Sequence, residues 1–289
     1  MDTNPIYSKL FSFLEIGDNY PTIIMGVLNL SPESFYKGSV YQDINILEKA
    51  TADMINDGAQ MIDIGARSTA PWSKKITIEE EINRIYPVME ILCKKIPENI
   101  IISVDTQYKE VAQLTYNIAS RCKRKIIIND VSCLKTDPSL EDFIIEKHIP
   151  IILMASKKVP GDLLHIEEII KEFSLTINRL KSEGFNENNI ILDPGIGHWI
   201  EEKTYEYDLK ILNNLNKVRS LKRPILVALS RKSFIGTALN IPEPENRYNG
   251  TLSATAIAVY NGAHIVRTHD VNNQLIEIIR MAEFLRKNK

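Results

Sequence analysis

Cysteine is scarce in this 289-residue chain, with three residues, Cys93, Cys122 and Cys133. An odd number without metal-ligand spacing argues against a disulfide framework or a zinc site and predicts reduced thiols. Neither sign of charge is in excess. Lys and Arg number 35 against 37 Asp and Glu, for a formal charge of −2, so there is no global basic field to draw in nucleic acid or an anionic membrane. Long apolar runs are missing too, none reaching the ~18–20 residues that cross a bilayer. The first twenty residues lack the basic region and apolar core of a secretory signal. Linkers, low-complexity tracts and internal repeats are absent. These absences predict a soluble, cytoplasmic protein with neither nucleic acid nor membrane as partner.

What is present, 44% hydrophobic and 25% charged residues, suits one large domain. Short, near-continuously apolar runs predict strands at Thr22–Leu28, Met61–Ile64, Ile101–Val104, Ile126–Ile128, Ile151–Met154, Ile190–Leu192, Ile225–Ala228 and His264–Val266. Such runs fit parallel strands buried on both faces. Amphipathic segments follow at Ile44–Asp57, Ile78–Lys95, Glu110–Ala119, Ser139–Lys147, Ile166–Ser182, Tyr205–Val218, Thr251–Tyr260 and Gln274–Arg286. Spaced by roughly one βα unit, these repeats predict an α/β fold, a single (β/α)8 TIM barrel over residues 21–289. Residues 1–20 form an N-terminal extension packed on it. A doubly wound open sheet has the same periodicity and stays open as an alternative.

Nearly every predicted strand ends in a polar group. Asn29, Asp105, the pair Asn129–Asp130, Asp193, Ser230-Arg231-Lys232, and Arg267 with His269 and Asp270 stand at these ends. Singly, such residues cap helices or start turns. Together they converge on the rim where a barrel of this type builds its active site. Carboxylates and amides match the donor and acceptor edge of a fused heterocycle, and a lysine meets its carbonyl oxygen. Arg267, His269 and Ser230 suit an anion, most naturally phosphate. The glycines of Asp193-Pro194-Gly195-Ile196-Gly197 let backbone approach a ligand closely.

At these residues the chain resembles the dihydropteroate synthase family. Met25-Gly26-Val27-Leu28-Asn29-Leu30-Ser31-Pro32-Glu33-Ser34-Phe35 is similar to its first signature, and Asp63-Ile64-Gly65 leading to Ser68-Thr69-Ala70-Pro71 to its second. Ser103–Thr106, Ile128–Ser132, Leu192–Gly197, Ser230–Phe234, Gly250–Leu252 and Arg267–Val271 follow in family order. The resemblance runs from about Ile23 to Val271 and implies condensation of 6-hydroxymethyl-7,8-dihydropterin diphosphate with p-aminobenzoate or a related aniline. Diphosphate leaves with the help of Mg²⁺. By position, the pterin falls to Asp105, Asn129, Met154, Asp193 and Lys232. The diphosphate falls to Asn29, Arg267 and His269, with Asn29 on the metal. The arylamine falls to Thr69, Pro71, His198 and Ser233. Asp193, Lys232, Arg267 and His269 form the implied catalytic group, and family analogy implies a homodimer.

Two loops depart from the family pattern. Lys37 stands where the family has an acidic residue, Arg67 where it has glutamate, and Ala70 where it has arginine. His198-Trp199 follows the glycine loop where the family has one aromatic residue. The basic pair Lys37 and Arg67 raises the expectation of an aniline with a phosphate tail, with p-aminobenzoate a poor substrate. Two other functions compete: a pterin-dependent methyltransferase, which needs no diphosphate site, and a non-catalytic pterin-binding paralogue.

Overall fold

The computed structural model describes residues 5–31, 43–68 and 73–288. Eight parallel strands form one sheet: β3 (Ile23–Asn29), β4 (Met61–Gly65), β5 (Ile101–Asp105), β6 (Ile126–Asp130), β7 (Ile151–Met154), β8 (Ile190–Asp193), β9 (Leu226–Ala228) and β10 (Ile265–Thr268). Their order is β8-β7-β6-β5-β4-β3-β10-β9. A parallel bridge between Leu192 and Ile225 joins the two ends, with Leu192 N–H donating to Pro224 O over 2.9 Å. The sheet therefore closes into a barrel, and the open-sheet alternative falls away.

Most strands run one or two residues further than the apolar runs do. Asp105 pairs in register with Asn129, and Met154 with Asp193. Polar residues usually break strand patterns. Here their backbones stay in the ladder because the neighbouring strands need the partners.

Helices α1 (Ile44–Asn56), α2 (Ile78–Lys95), α3 (Lys109–Arg121), α4 (Pro138–Lys147), α5 (Ile166–Ser182), α6 (Tyr205–Asn213), α7 (Ser233–Leu239), α8 (Tyr248–Tyr260) and α9 (Asn273–Lys287) wrap the barrel. Local chemistry starts several of them. Thr77 caps α2 in a reciprocal box with Glu80, and Asp137 followed by Pro138 opens α4. The segment expected as one helix over Tyr205–Val218 splits at Asn214 into α6 and a 3₁₀ turn, Leu215–Leu221. α7 was not anticipated, because seven residues are too few to show a helical period.

Residues 7–17 form an antiparallel hairpin of β1 (Tyr7–Leu10) and β2 (Leu14–Gly17). Its Leu10, Leu14 and Ile16 bury against the inward side chains Ile23, Met61, Ile101, Ile127 and Ile265. The hairpin thus closes the end of the barrel opposite the polar rim. Asp18 fastens it there, paired to both Nη atoms of Arg219 at 2.7 and 2.9 Å and to His264 Nε2 at 3.2 Å. His264 Nδ1 accepts the Ile225 N–H, so this histidine is a structural bridge.

Candidate active site

Strand alternation takes the inner surface of the barrel from apolar to polar in one step. Met61, Ile101, Ile127, Ile152, Ile191 and Ile265 form an apolar layer. Two residues further along the same strands stand Asp63, Ser103, Asn129, Met154, Asp193 and Arg267, since alternate strand residues share a face. Above them opens a cleft of about 330 Å³, within the range of small-ligand sites. Asn29, Asp105, Asn129, Met154, Asp193, His198, Lys232, Ser233, Arg267 and His269 all line it. Thr69 and Pro71, with Lys37 and Ala70, lie outside the described residues.

Arg267 is the centre of the polar layer. Its Nε donates to Asp63 Oδ2 at 2.7 Å, and one Nη reaches Asp63 Oδ2 at 2.6 Å and Asp105 Oδ2 at 3.2 Å. The Ser103 hydroxyl donates to Asp63 Oδ1, and Asn129 Nδ2 reaches the same oxygen at 3.3 Å. Burial and the adjacent Asp63 charge push the Asp105 carboxyl up to about 8, opposed by Arg267. The arginine therefore organises the expected pterin side of the cleft as well as facing the anion side.

His269 and Ser230 sit beside it, with Nδ1 and Oγ 2.9 Å apart. The Ser230 oxygen also accepts the His269 backbone N–H at 3.3 Å. The tautomer with the Ser230 hydrogen on Nδ1 puts the ring proton on Nε2. Burial, with Arg267, Arg231 and Lys232 nearby, pulls the ring down to about 3. His269 is thus a neutral ring and not a cation at neutral pH.

Lys232 and Asp193 hold the glycine loop between them. Asp193 Oδ1 accepts the Gly195 N–H at 2.8 Å, and Lys232 Nζ donates to the Ile196 carbonyl. Burial lowers Lys232 to about 8 against the opposing pull of Asp193 and Asp208, while burial raises Asp193 above the usual carboxylate range. The Trp199 ring lies over the Lys232 ammonium, 5.3 Å from its centroid.

Two basic residues point elsewhere. Arg231 turns outward onto Asp270, Nε to Oδ2 at 2.8 Å and Nη2 to Oδ1 at 2.9 Å. Arg67 touches the cleft but gives Nε to the buried Glu81 at 2.6 Å, Nη1 to Ile76 O at 2.6 Å and Nη2 to Thr77 O at 3.2 Å. Its guanidinium stacks on Tyr108, 4.8 Å from the centroid. Arg67 fastens its loop to the start of α2, which removes half of the basis for a phosphate-tailed substrate.

Sequence reasoning gave no role to Asp63, Ser103, Lys203, Asp208 or Arg247. Asp63 had a usable signal, because a carboxylate between two isoleucines of a buried strand needs a buried partner. Lys203 and Asp208 had none, since they resemble ordinary solvated charges until the fold buries them. Arg247 borders the cleft and ties together the turns on either side of α7, donating to Arg231 O and Ile241 O at 3.0 and 3.1 Å.

The pterin binding enzyme family matches residues 25–269. A dihydropteroate synthase of Clostridium beijerinckii is 37% identical over 251 residues, 86% of this chain and 89% of that protein. Among solved structures, a dihydropteroate synthase from Coxiella burnetii in complex with pteroic acid superposes with a TM-score of 0.84 at 32% identity, covering 98% of this chain and 100% of its own. One from Xanthomonas albilineans with 4-aminobenzoic acid gives 0.82 at 26% identity, with 98% and 99% covered. With a matching family over most of the barrel and relatives of this similarity along nearly its full length, the chain belongs to the pterin-binding enzymes and, among them, to the dihydropteroate synthase family.

Proposed function

We propose that the chain condenses 6-hydroxymethyl-7,8-dihydropterin diphosphate with p-aminobenzoate in the cytoplasm, releasing diphosphate with Mg²⁺. Two chemistries divide the cleft, and that division carries the assignment. Asp105, Asn129, Asp193 and Lys232 offer acceptors, an amide and a cation to a fused heterocycle, with Met154 against its face. His269, Arg267 and Asn29 offer donors to an anion, with Ser230 orienting the His269 ring. A methyl-pterin enzyme has no need of this second group.

The bond between the pterin methylene and the diphosphate oxygen breaks first, and the arylamine nitrogen attacks the resulting ring-stabilised cation, its surplus N–H proton passing to solvent. Asp193 offsets positive charge as it develops on the ring. His269 donates from Nε2 to a departing oxygen, and Arg267 sets positive charge beside it. Among the described residues no three His, Cys, Asp or Glu side chains converge as a metal cage. Mg²⁺ would meet the Asn29 amide oxygen and take its other ligands from phosphate oxygens and water, which suits an ion that dehydrates reluctantly. Bound there, it would neutralise charge on the leaving group. Ser233 at the start of α7 and His198 border the space left for the arylamine. The family resemblance assigns Thr69 and Pro71, outside the described residues, to the same substrate. Arg67 is committed to Glu81 and is not offered to a phosphate tail.

Diphosphate release with a panel of arylamines tests the assignment. Turnover of p-aminobenzoate is expected at a kcat/KM around 10⁴ M⁻¹s⁻¹ or better, ahead of a phosphorylated aniline. Chelating Mg²⁺ should abolish turnover and leave binding of the bare pterin unchanged. Pterin binding without turnover of any amine would identify a non-catalytic paralogue.

The pH profile follows from Lys232. Burial lowers its pKa to about 8, so the ammonium is present below that pH and lost above it. kcat/KM for the pterin substrate, which reports groups of the free enzyme, should therefore fall as pH rises through about 8. Lys232→Arg, charged throughout, should lose this limb in whatever activity it keeps. A limb that survives the substitution would belong to another group.

The proposed homodimer uses α8 and α9. Ile257, Tyr260, Met281, Phe284 and Leu285 are exposed on these two packed helices, Phe284 by 65%. Large apolar side chains grouped on one face mark an association surface. Light scattering should give twice the chain mass, and Met281→Glu with Phe284→Glu should give the monomer. A wild-type monomer at micromolar concentration would end the proposal.

A further inference from the structure

Beyond the side chains that face the cleft, one ion pair is entirely enclosed behind it. Lys203 and Asp208 stand on either side of Thr204, the residue that precedes α6, with side chains 0% and 1% exposed and Nζ 3.7 Å from Oδ1. Lys203 Nζ donates to the Gly195 carbonyl at 2.7 Å and lies 3.5 Å from that of Gly161. Asp208 Oδ1 accepts the Gly197 N–H at 2.8 Å. Counting the Lys232 bond to Ile196 O, three consecutive residues of the glycine loop are each gripped by a different side chain.

That loop needs gripping. Gly195 and Gly197 adopt φ of +71° and +137°, conformations that glycine enters and leaves freely. A Cβ on Gly197 would stand 3.1 Å from Lys232 Nζ, so Lys232 lies directly on this backbone. Asp193 takes its orientation from the Gly195 N–H. Buried ion pairs contribute little net stability over an apolar pair of the same volume, so stability alone is a weak reason for this one. It fixes the loop from behind, and its charges act on the groups in front.

Building on the pterin assignment above, we infer that Lys203 and Asp208 are positioning residues: they lock the Gly195–Gly197 backbone so that Asp193 and Lys232 are presented to the pterin in one geometry. The charged groups around Lys232 are Asp193 from β8, Asp208 from α6, Arg267 from β10 and Lys203 from the loop before α6. Asp208 favours the ammonium, and Lys203 and Arg267 oppose it.

Two variants separate positioning from mere folding. Lys203→Met with Asp208→Asn removes both charges together, stranding neither, and keeps an acceptor for the Gly197 N–H. Cooperative melting will establish that it folds. Its Kd for bare 6-hydroxymethylpterin by calorimetry should rise about tenfold or more, while the arylamine KM moves less than about twofold. Asp208→Asn alone should move the alkaline limit of pterin affinity to lower pH, because Lys232 loses a neighbouring negative charge. A double variant with lowered Tm but wild-type pterin affinity would overturn the inference. If it does not fold, an unmoved pH limit in Asp208→Asn overturns it. The pterin Kd and its alkaline limit are binding measurements on the full chain, so a wild type that binds pterin without turnover would count against the proposed reaction and leave these two readouts standing.

Discussion

Arg267→Ala is expected to lower kcat/KM about a thousandfold and to weaken the bare pterin as well as its diphosphate ester. Arg267 lies between two carboxylates, within 2.6 Å of Asp63 and 3.2 Å of Asp105. Its truncation leaves both acids without their cation at the wall of the cleft. Removing one preorganised donor to charge that develops in the transition state costs about 2.7–4 kcal/mol, a factor that reaches ~10³. Asp105, already raised to about 8 by burial and Asp63, then loses the Arg267 charge that favours its ionised form. The ionised form is then disfavoured further, and an acid that keeps its proton offers the pterin a donor in place of an acceptor. The sequence alone suggests a clean split, with the diphosphate lost and the pterin spared. The ion-pair network replaces that expectation, because one guanidinium serves both sides. Calorimetry with hydroxymethylpterin and its diphosphate ester checks this. A bare-pterin Kd within about twofold of wild type would show that the Asp63–Arg267–Asp105 chain does not shape the pterin pocket.

Asp193→Asn carries the second large effect, a tenfold to thousandfold loss of pterin affinity. The substitution is nearly isosteric, and the amide oxygen can keep the Gly195 N–H that Oδ1 now accepts at 2.8 Å. That choice turns the amide nitrogen towards the cleft, where a carboxylate oxygen stood. Ring donors of the pterin then meet a donor. Leaving buried donors unpaired costs about 1–3 kcal/mol, and more where a charged acceptor is lost. The fold should be unaffected, with Tm close to wild type, because the loop contact survives. Unchanged calorimetric affinity for the reduced pterin would place the ring elsewhere in the cleft.

Much of this molecule was legible in one dimension. Eight buried apolar runs, each followed by an amphipathic segment, determine a parallel α/β fold, because only strands covered on both faces read that way. The alternation of a strand then places Asn129, Asp193 and Arg267 on the same inner surface as the isoleucines two positions earlier, and Asp105 on that of Ile101 four positions earlier. That is local geometry, which sequence spacing records. Closure of the sheet through Leu192 and Ile225 was not recorded, since nothing local distinguishes a closed sheet from an open one. Partner choice across the barrel was also invisible. Asp63 meets Arg267 across 204 residues, and the fate of Arg67 rests on a glutamate in the next helix. Lys203 and Asp208 look like surface charges in the sequence and are wholly enclosed in the fold. Periodicity sets which face a side chain takes. Whether that face is solvent, a neighbour of opposite charge or the floor of a binding cleft depends on contacts between distant segments, and those the tertiary structure alone decided.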